Sequence, residues 1–299
     1  MQVRDHYERG NDFYMAFLGD PMIYTSGFFN SVEDTLEVAQ EQKMDMVCQK
    51  LQFQPGDKHL DIGCGWGTLV AHAARKYGTT STGVTLSRDQ VEFGNERIRQ
   101  QGVSDRAELI VSDYRDIPKN KKWDKITCLE MAEHVGVRKF QSFMRQIYGM
   151  LEDDGMFYLQ IAGLRRSWQF EDFQWGLFMA KYIFPGADAS CPLGWVVNQL
   201  EQAGFECHSI ENIGVHYSAT LKRWYDNFKT NEEYIIKQYG LRWFRIWMWF
   251  LAWATIASEQ GSATCYMMVC RKNTNAWDRK RMIGEHALCD VGATLQPVL

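Results

Sequence analysis

The order of periodicities in this chain predicts a doubly wound α/β domain carrying an aromatic-rich helical cap. Three observations carry the expectation. Strand-like and helix-like segments alternate between residues 58 and 161. A glycine-rich turn, Asp61-Ile62-Gly63-Cys64-Gly65-Trp66-Gly67, follows the first strand-like run and opens a helical pattern. After Ile161 the alternation stops, and the next hundred residues are mostly helical and loaded with aromatic side chains.

The elements follow in chain order. Residues 58–63 form a short apolar run ending in glycine, and 69–77 have helical spacing. The stretch 79–86, rich in Thr and Val, reads as a strand. Residues 88–101 are polar and helical, and 107–112, 125–130 and 156–161 read as three further strands. A helix over about 139–151 separates the last two, and βαβ units of this kind imply a parallel sheet. Residues 167–184 form an aromatic helix stopped by Pro185 and Gly186, and 192–203 a helix closed by Gly204. Residues 206–214 are expected to be a strand, 219–257 mostly helical and 264–269 the final strand. The reading is a single domain over 1–272, with cap segments at about 165–203 and 219–257. An irregular tail follows over 273–299.

Composition narrows the function classes. The 45% hydrophobic and 23% charged residues suit a globular chain with a sizeable core. The 11 Trp, 13 Tyr and 17 Phe suit either a cavity for a bulky apolar ligand or an aromatic core. A net charge of −4 without a basic stripe argues against nucleic acid as a partner. The eight cysteines lack a CxxC pair, and the histidines lack ligand spacing, so no disulfide framework and no metal is expected. The longest uncharged apolar stretch, 246–257, is too short to span a bilayer. It suits burial or a membrane interface.

The glycine turn departs from the dinucleotide loop. Its glycines fall at the first, third and fifth positions, and Asp61 stands at its start. No Gly-Lys-Ser/Thr follows, which excludes a P-loop. Gly63, Gly65 and Gly67 let the backbone approach a ligand at a helix N-terminus. The second strand ends in Thr85-Leu86-Ser87-Arg88-Asp89-Gln90, where Thr85 and Gln90 offer neutral hydrogen bonds in place of a ribose-binding carboxylate. The third ends in Asp113-Tyr114, placed to hold a base. The arrangement resembles S-adenosylmethionine-dependent methyltransferases, in which the acidic residue serves the methionine end.

The resemblance extends along most of the chain. His6-Tyr7-Glu8-Arg9-Gly10-Asn11-Asp12-Phe13-Tyr14, the turn at Asp61 to Gly67, Gly83-Val84-Thr85-Leu86-Ser87, Glu133-His134-Val135-Gly136 and His216-Tyr217 occur in the order found in cyclopropane fatty acid synthases. Met22-Ile23-Tyr24-Thr25-Ser26-Gly27, the segment from Ile126 to Arg138, Leu159-Gln160-Ile161-Ala162 and Ile183-Phe184-Pro185-Gly186 are similar to one branch of that superfamily, the fungal-type sphingolipid 9-methyltransferases. The resemblance implies a class I methyltransferase fold with S-adenosylmethionine as cofactor. It implies an unsaturated lipid substrate, the sphingoid base of glucosylceramide. Tyr24, Thr25, Leu86 and Tyr114 join the expected cofactor site. Members of that branch carry hydrophobic segments ahead of the catalytic domain. The implied setting is therefore the cytoplasmic face of an internal membrane such as the endoplasmic reticulum, or peripheral association. The chain is read as a fragment or as a relative that meets membranes differently.

The resemblance also implies an anion site. Cyclopropane synthases hold a bicarbonate base through a Cys, a Glu, a His, an Ile backbone group and a Tyr. By position these are Ser26, Glu133, Gln160, Ala162 and Tyr217. Two side-chain ligands differ, so bicarbonate stands beside Glu133 itself as alternative base. Taken without the resemblance, Glu133 and His134 could be a helix-start pair, and Tyr217 a core tyrosine. Cyclopropane or methyl-branched phospholipid synthesis, small-amine N-methylation and a non-catalytic lipid-binding role remain the competing functions.

Overall fold

The computed structural model describes residues 10–187 and 190–282. The first residues of the His6 motif, Asp188 and Ala189, and the tail beyond Met282 lie outside these. Seven strands form one sheet: β1 (Lys58–Ile62), β2 (Thr80–Thr85), β3 (Ala107–Val111), β4 (Trp123–Leu129), β5 (Leu151–Leu164), β6 (Phe205–Asn212) and β7 (Ala263–Lys272). Their order is β3-β2-β1-β4-β5-β7-β6. All pairs are parallel except those made by β7, which runs against both β5 and β6. The strand order reverses at β1, whose neighbours are β2 and β4, so a crevice opens at their carboxyl ends.

The helices that flank this sheet follow from local chemistry. In chain order they are α1 (Asn11–Leu18), α2 (Leu36–Lys50), α3 (Thr68–Tyr77), α4 (Arg88–Gln100), α5 (Val137–Met150), α6 (Phe170–Phe178), α7 (Leu193–Ala203), α8 (Gly214–Thr230), α9 (Glu232–Tyr239) and α10 (Leu241–Glu259). Helix α3 starts after Gly67 (φ 74°) and stops at Gly78 (φ 70°), left-handed positions that glycine adopts without strain. Ser87 caps α4 by accepting the Gln90 N–H. One face of the sheet packs on α5 and α7 through Phe140, Phe143, Ile147, Val196 and Leu200. The other packs on α2 and α3 through Met46, Val47, Leu69 and Ala73.

The cap is a second core rich in rings, with aliphatic residues such as Leu18, Leu221 and Leu251 filling between them. Trp247 of α10 lies 4.9 Å from Phe13 and 5.4 Å from Phe17 of α1, ring centroid to centroid. Trp224, Phe228, Phe244, Phe250 and Trp175 belong to the same cluster. The stretch 246–257 is mainly buried or half-buried rather than a membrane-facing surface: Trp247 is wholly buried, Trp253 is half-buried, and of the three tryptophans only Trp249 is exposed.

Several boundaries differ from the sequence expectation. Helix α7 is not part of the cap, because Val196, Leu200 and Ala203 form an apolar stripe that fits the sheet beside Phe205. Helix α1 takes its place. Helices α1 and α2 escape a periodicity reading. The first is only eight residues long, and the second buries Gln40, Lys43 and Lys50, which break its apolar stripe. The expected helix over 219–257 is three helices, broken at Asn231 and at Gly240 (φ 86°). Strand β5 begins five residues early, where the register with β4 shifts between Trp123 and Lys125 and the exposed Asp153 and Asp154 hide the strand pattern. The beginning of the expected tail is packed: Trp277 is buried and donates to the Lys272 carbonyl.

Candidate active site

A cavity of about 330 Å³ fills the crevice at the carboxyl ends of β1, β2 and β4. Tyr24, Thr25, Asp61, Gly63, Gly65, Thr85, Leu86, Gln90, Asp113 and Tyr114 all line it. One expected residue does not. Gly67 stands behind the wall, where an added Cβ would lie 2.5 Å from Leu109 Cδ1. Its glycine serves the left-handed start of α3 and close packing, not the ligand surface. At Gly65 (φ 54°) an added Cβ meets no protein atom within 4 Å, so the bare backbone borders open space.

Polar groups around the cavity are wired into the sheet. Thr85 donates to Gln90 Oε1 at 2.6 Å. Asp113 accepts two hydrogen bonds from the Arg115 guanidinium and caps the turn at the Arg115 N–H. Asp61 is buried, which pushes its carboxyl up to about 6. It accepts from Thr127 at 2.6 Å, and Thr127 in turn contacts His59 Nε2 at 2.9 Å. Burial holds the His59 imidazole down at about 3, so it is neutral at physiological pH and acts through hydrogen bonds alone.

Beneath the cavity lies a cation that sequence reasoning missed. Lys43 from α2 lines the cavity and is buried, which pulls its ammonium down to about 8. It donates to Thr25 Oγ1 at 2.8 Å, and the charges of Glu130 and Asp61 oppose the effect of burial.

Two of the expected catalytic residues, Ser26 and Gln160, converge on another missed residue. Glu130 directly follows β4, lines the cavity, and sits at φ 51°, a conformation rare outside glycine. Its Oε1 accepts the Ser26 N–H at 2.8 Å, the Gln160 Nε2 at 2.6 Å and the Cys265 thiol at 3.6 Å. Ser26 acts through its backbone, because its hydroxyl donates to the Gly27 carbonyl at 3.0 Å. Glu133 is buried beside the cavity rather than on its wall. Its Oε1 accepts the Ala162 N–H, while its Oε2 has no hydrogen-bond partner among the described residues. Burial first, and the charge of Glu130 second, push its carboxyl up to about 8. Tyr217 lies half-buried in the first turn of α8, between the aromatic core and the core under the sheet. Glu130 could have been found from its place at a strand's carboxyl end beside the switch point. Lys43 carries no such signal.

Comparison with known proteins agrees with this architecture. The family model for mycolic acid cyclopropane synthetase matches residues 1–268. The chain is 57% identical over 288 residues to the sphingolipid C9-methyltransferase of Komagataella phaffii, covering 93% of this chain and 59% of that protein. It is 56% identical over 282 residues to sphingolipid C9-methyltransferase A of Emericella nidulans, covering 93% and 54%. The chain thus spans little more than half the length of these relatives. A solved cyclopropane synthase of Mycobacterium tuberculosis superposes with a TM-score of 0.86 at 24% identity, covering 91% of this chain and 97% of that one. The mixed seven-stranded sheet is that fold.

Proposed function

This chain belongs to the mycolic acid cyclopropane synthetase family, and from that premise we propose that it transfers a methyl group from S-adenosylmethionine to a double-bond carbon of an unsaturated lipid. The substrate we infer is the sphingoid base of glucosylceramide, methylated at carbon 9, as the names of the relatives at 51–57% identity suggest. The observation that carries the reading is the cavity at the switch point, whose wall joins a bare Gly65 backbone to the carboxyl groups of Asp61, Asp113 and Glu130.

That wall fits the cofactor. Asp61 would take the ammonium of the methionine end, and Thr85 and Gln90 the ribose hydroxyls. Asp113 and Tyr114 would hold the adenine, against the apolar side chains of Leu86 and Val135. The cofactor supplies an electrophilic methyl on a sulfonium. The chain's own residues place anionic charge under the reacting region: Glu130 faces the cavity and Lys43 balances Asp61 and Glu130 from below. The neutral His134, held down at about 4 by burial, also lines it.

The surface of the cap supports peripheral attachment to a membrane. Among the described residues no helix is long and apolar enough to cross a bilayer. Trp168, Phe170, Phe173, Leu177 and Trp249 are nevertheless exposed. Helices α6 and α10 touch through Trp175 and Trp253, whose ring centroids are 5.0 Å apart. The exposed Arg166, Lys181, Arg242 and Arg245 lie on the same elements or beside them. We read this as a surface that rests on an internal membrane from its cytoplasmic side, with apolar rings in the interface and cations at the head groups.

The experiment is product analysis by mass spectrometry. Purified protein is given S-adenosylmethionine with glucosylceramide, an unsaturated phospholipid or a small amine in turn. A methylated sphingoid base that keeps its double bond is the expected product. A cyclopropane ring on phospholipid, or methylation of the amine alone, would replace this reading.

A further inference from the structure

We propose that the Glu130 carboxylate is the built-in proton acceptor of this site, occupying the anion position that the resemblance assigns to a free bicarbonate. The assignment rests on the reading of function above. Its first support is the use of donors. The two positions at which the anion's thiol and imidazole ligands are replaced, Ser26 and Gln160, both direct an N–H to Glu130 Oε1, and Cys265 adds its thiol. The Ser26 hydroxyl is turned to the Gly27 carbonyl. A donor set already spent on one carboxylate oxygen does not fit a free bicarbonate as well.

The second support is position. Glu130 is on the cavity wall and Glu133 is not. All three of these hydrogen bonds fall on Oε1, and none of the described ones engages Oε2, leaving it for the reaction. The chain also holds Glu130 at φ 51°, where a side chain other than glycine costs free energy. The other positive-φ side chain on the cavity wall is Met22, also at φ 51°.

Charge separates the roles of the two glutamates. Burial raises the Glu130 carboxyl, but Ser26, Gln160, Lys43 and Cys265 each favour its ionised form. Glu133 has only backbone donors against its burial, and the Glu130 charge raises it further. One proton shared by the pair therefore rests on Glu133. A neutral Glu133 cannot accept a proton; an ionised Glu130 can.

The step balances as follows. The π pair of the lipid forms the bond to the incoming methyl carbon, and the methyl–sulfur pair stays on sulfur. The adjacent lipid carbon is left positive. The C–H bond on the methylated carbon then breaks, its pair restores the double bond, and the proton passes to Glu130, which becomes a neutral acid. It loses that proton to water as product leaves.

The test compares wild type, Glu130→Gln and Glu130→Gly in carbon dioxide-free buffer with S-adenosylmethionine and glucosylceramide. Calorimetry of cofactor binding and a thermal melt are run on each preparation. Wild type should turn over equally with and without added bicarbonate. Glu130→Gln should bind cofactor yet lose activity by about 10²- to 10⁴-fold, the range for losing a positioned base. Glu130→Gly, which relieves the positive φ, should be as slow alone and recover with bicarbonate or formate. A bicarbonate requirement in wild type overturns the assignment. So does either variant within about tenfold of wild type, or a glycine variant that neither anion restores. Wild type that binds cofactor but yields no methylated lipid overturns the reading of function, and the assignment with it.

Discussion

The ammonium of Lys43 donates to the hydroxyl of Thr25 at 2.8 Å, so a buried cation from α2 ties the segment after α1 to the floor of the cavity. The same charge offsets the burial of Asp61 and Glu130. Replacing it with an apolar side chain of similar length, Lys43→Met, leaves two carboxyls without their neighbouring cation. The expected cost is about 1 to 3 kcal/mol of stability, as for leaving the Thr25 hydroxyl and the two carboxyls without this donor and charge. Denaturant unfolding measures it, and a change under about 1 kcal/mol would show that the pair contributes little.

Gly65 and Gly67 should separate binding from folding. Gly65→Ala adds a methyl where no protein atom lies within 4 Å, at a φ of 54°. It should lower cofactor affinity at least about tenfold, at a folding cost of about 1 kcal/mol. Gly67→Ala instead drives a methyl into Leu109, and should cost about 1 to 3 kcal/mol in stability with a smaller direct effect on binding. Calorimetry and thermal melts on both variants decide the matter; equal affinity for wild type and Gly65→Ala removes that backbone from the site.

The pH dependence of stability should carry the signature of Glu133. Its folded carboxyl is raised from 4.5 to about 8, so between these values the native state holds a proton that the unfolded chain has lost. Stability therefore falls as pH rises through that window, and Asp61, raised from 3.8 to about 6, adds to the fall. Lys43, lowered from 10.5 to about 8, acts oppositely, and stability recovers above pH 8. Melting temperatures across this range should show the falling limb flattened in Glu133→Gln. A wild-type profile that rises from pH 5 to 8, with no change in that variant, would contradict a protonated Glu133.

Two tryptophans only two residues apart, and so on different faces of α10, should behave oppositely. Trp247→Ala empties the centre of the aromatic core and should cost about 3 to 5 kcal/mol. Trp249 is 57% exposed, so Trp249→Ser should leave stability within about 0.5 kcal/mol. Combined with Phe170→Ser and Phe173→Ser, it should reduce flotation with anionic liposomes. Undiminished flotation of the folded triple variant would place membrane contact elsewhere.

Much of the scaffold was legible because it rests on local rules. Each of the first four strands is bounded within two residues, since apolar runs and capping signals such as Ser87 and Gly78 act over a single turn. Ten of the eleven expected cofactor residues line the cavity, because strand ends beside a switch point converge whatever the rest of the chain does. The cap was harder. Trp247 and Trp249 read alike in a run that is apolar nearly all round, and only the packing of α1 against α10 decides which is inside.

By itself, then, the order of residues determined the sheet, the glycine turn and the class of ligand they suit, all consequences of contacts between near neighbours. Tertiary structure alone decided the electrostatics of the site. Lys43 comes from a helix more than eighty residues before Glu130, and Ser26 and Gln160 reach the same oxygen from more than one hundred residues apart. Which glutamate keeps its proton depends on burial and on donors supplied across those distances. No spacing in the chain records either, because both arise only when the crevice closes around them.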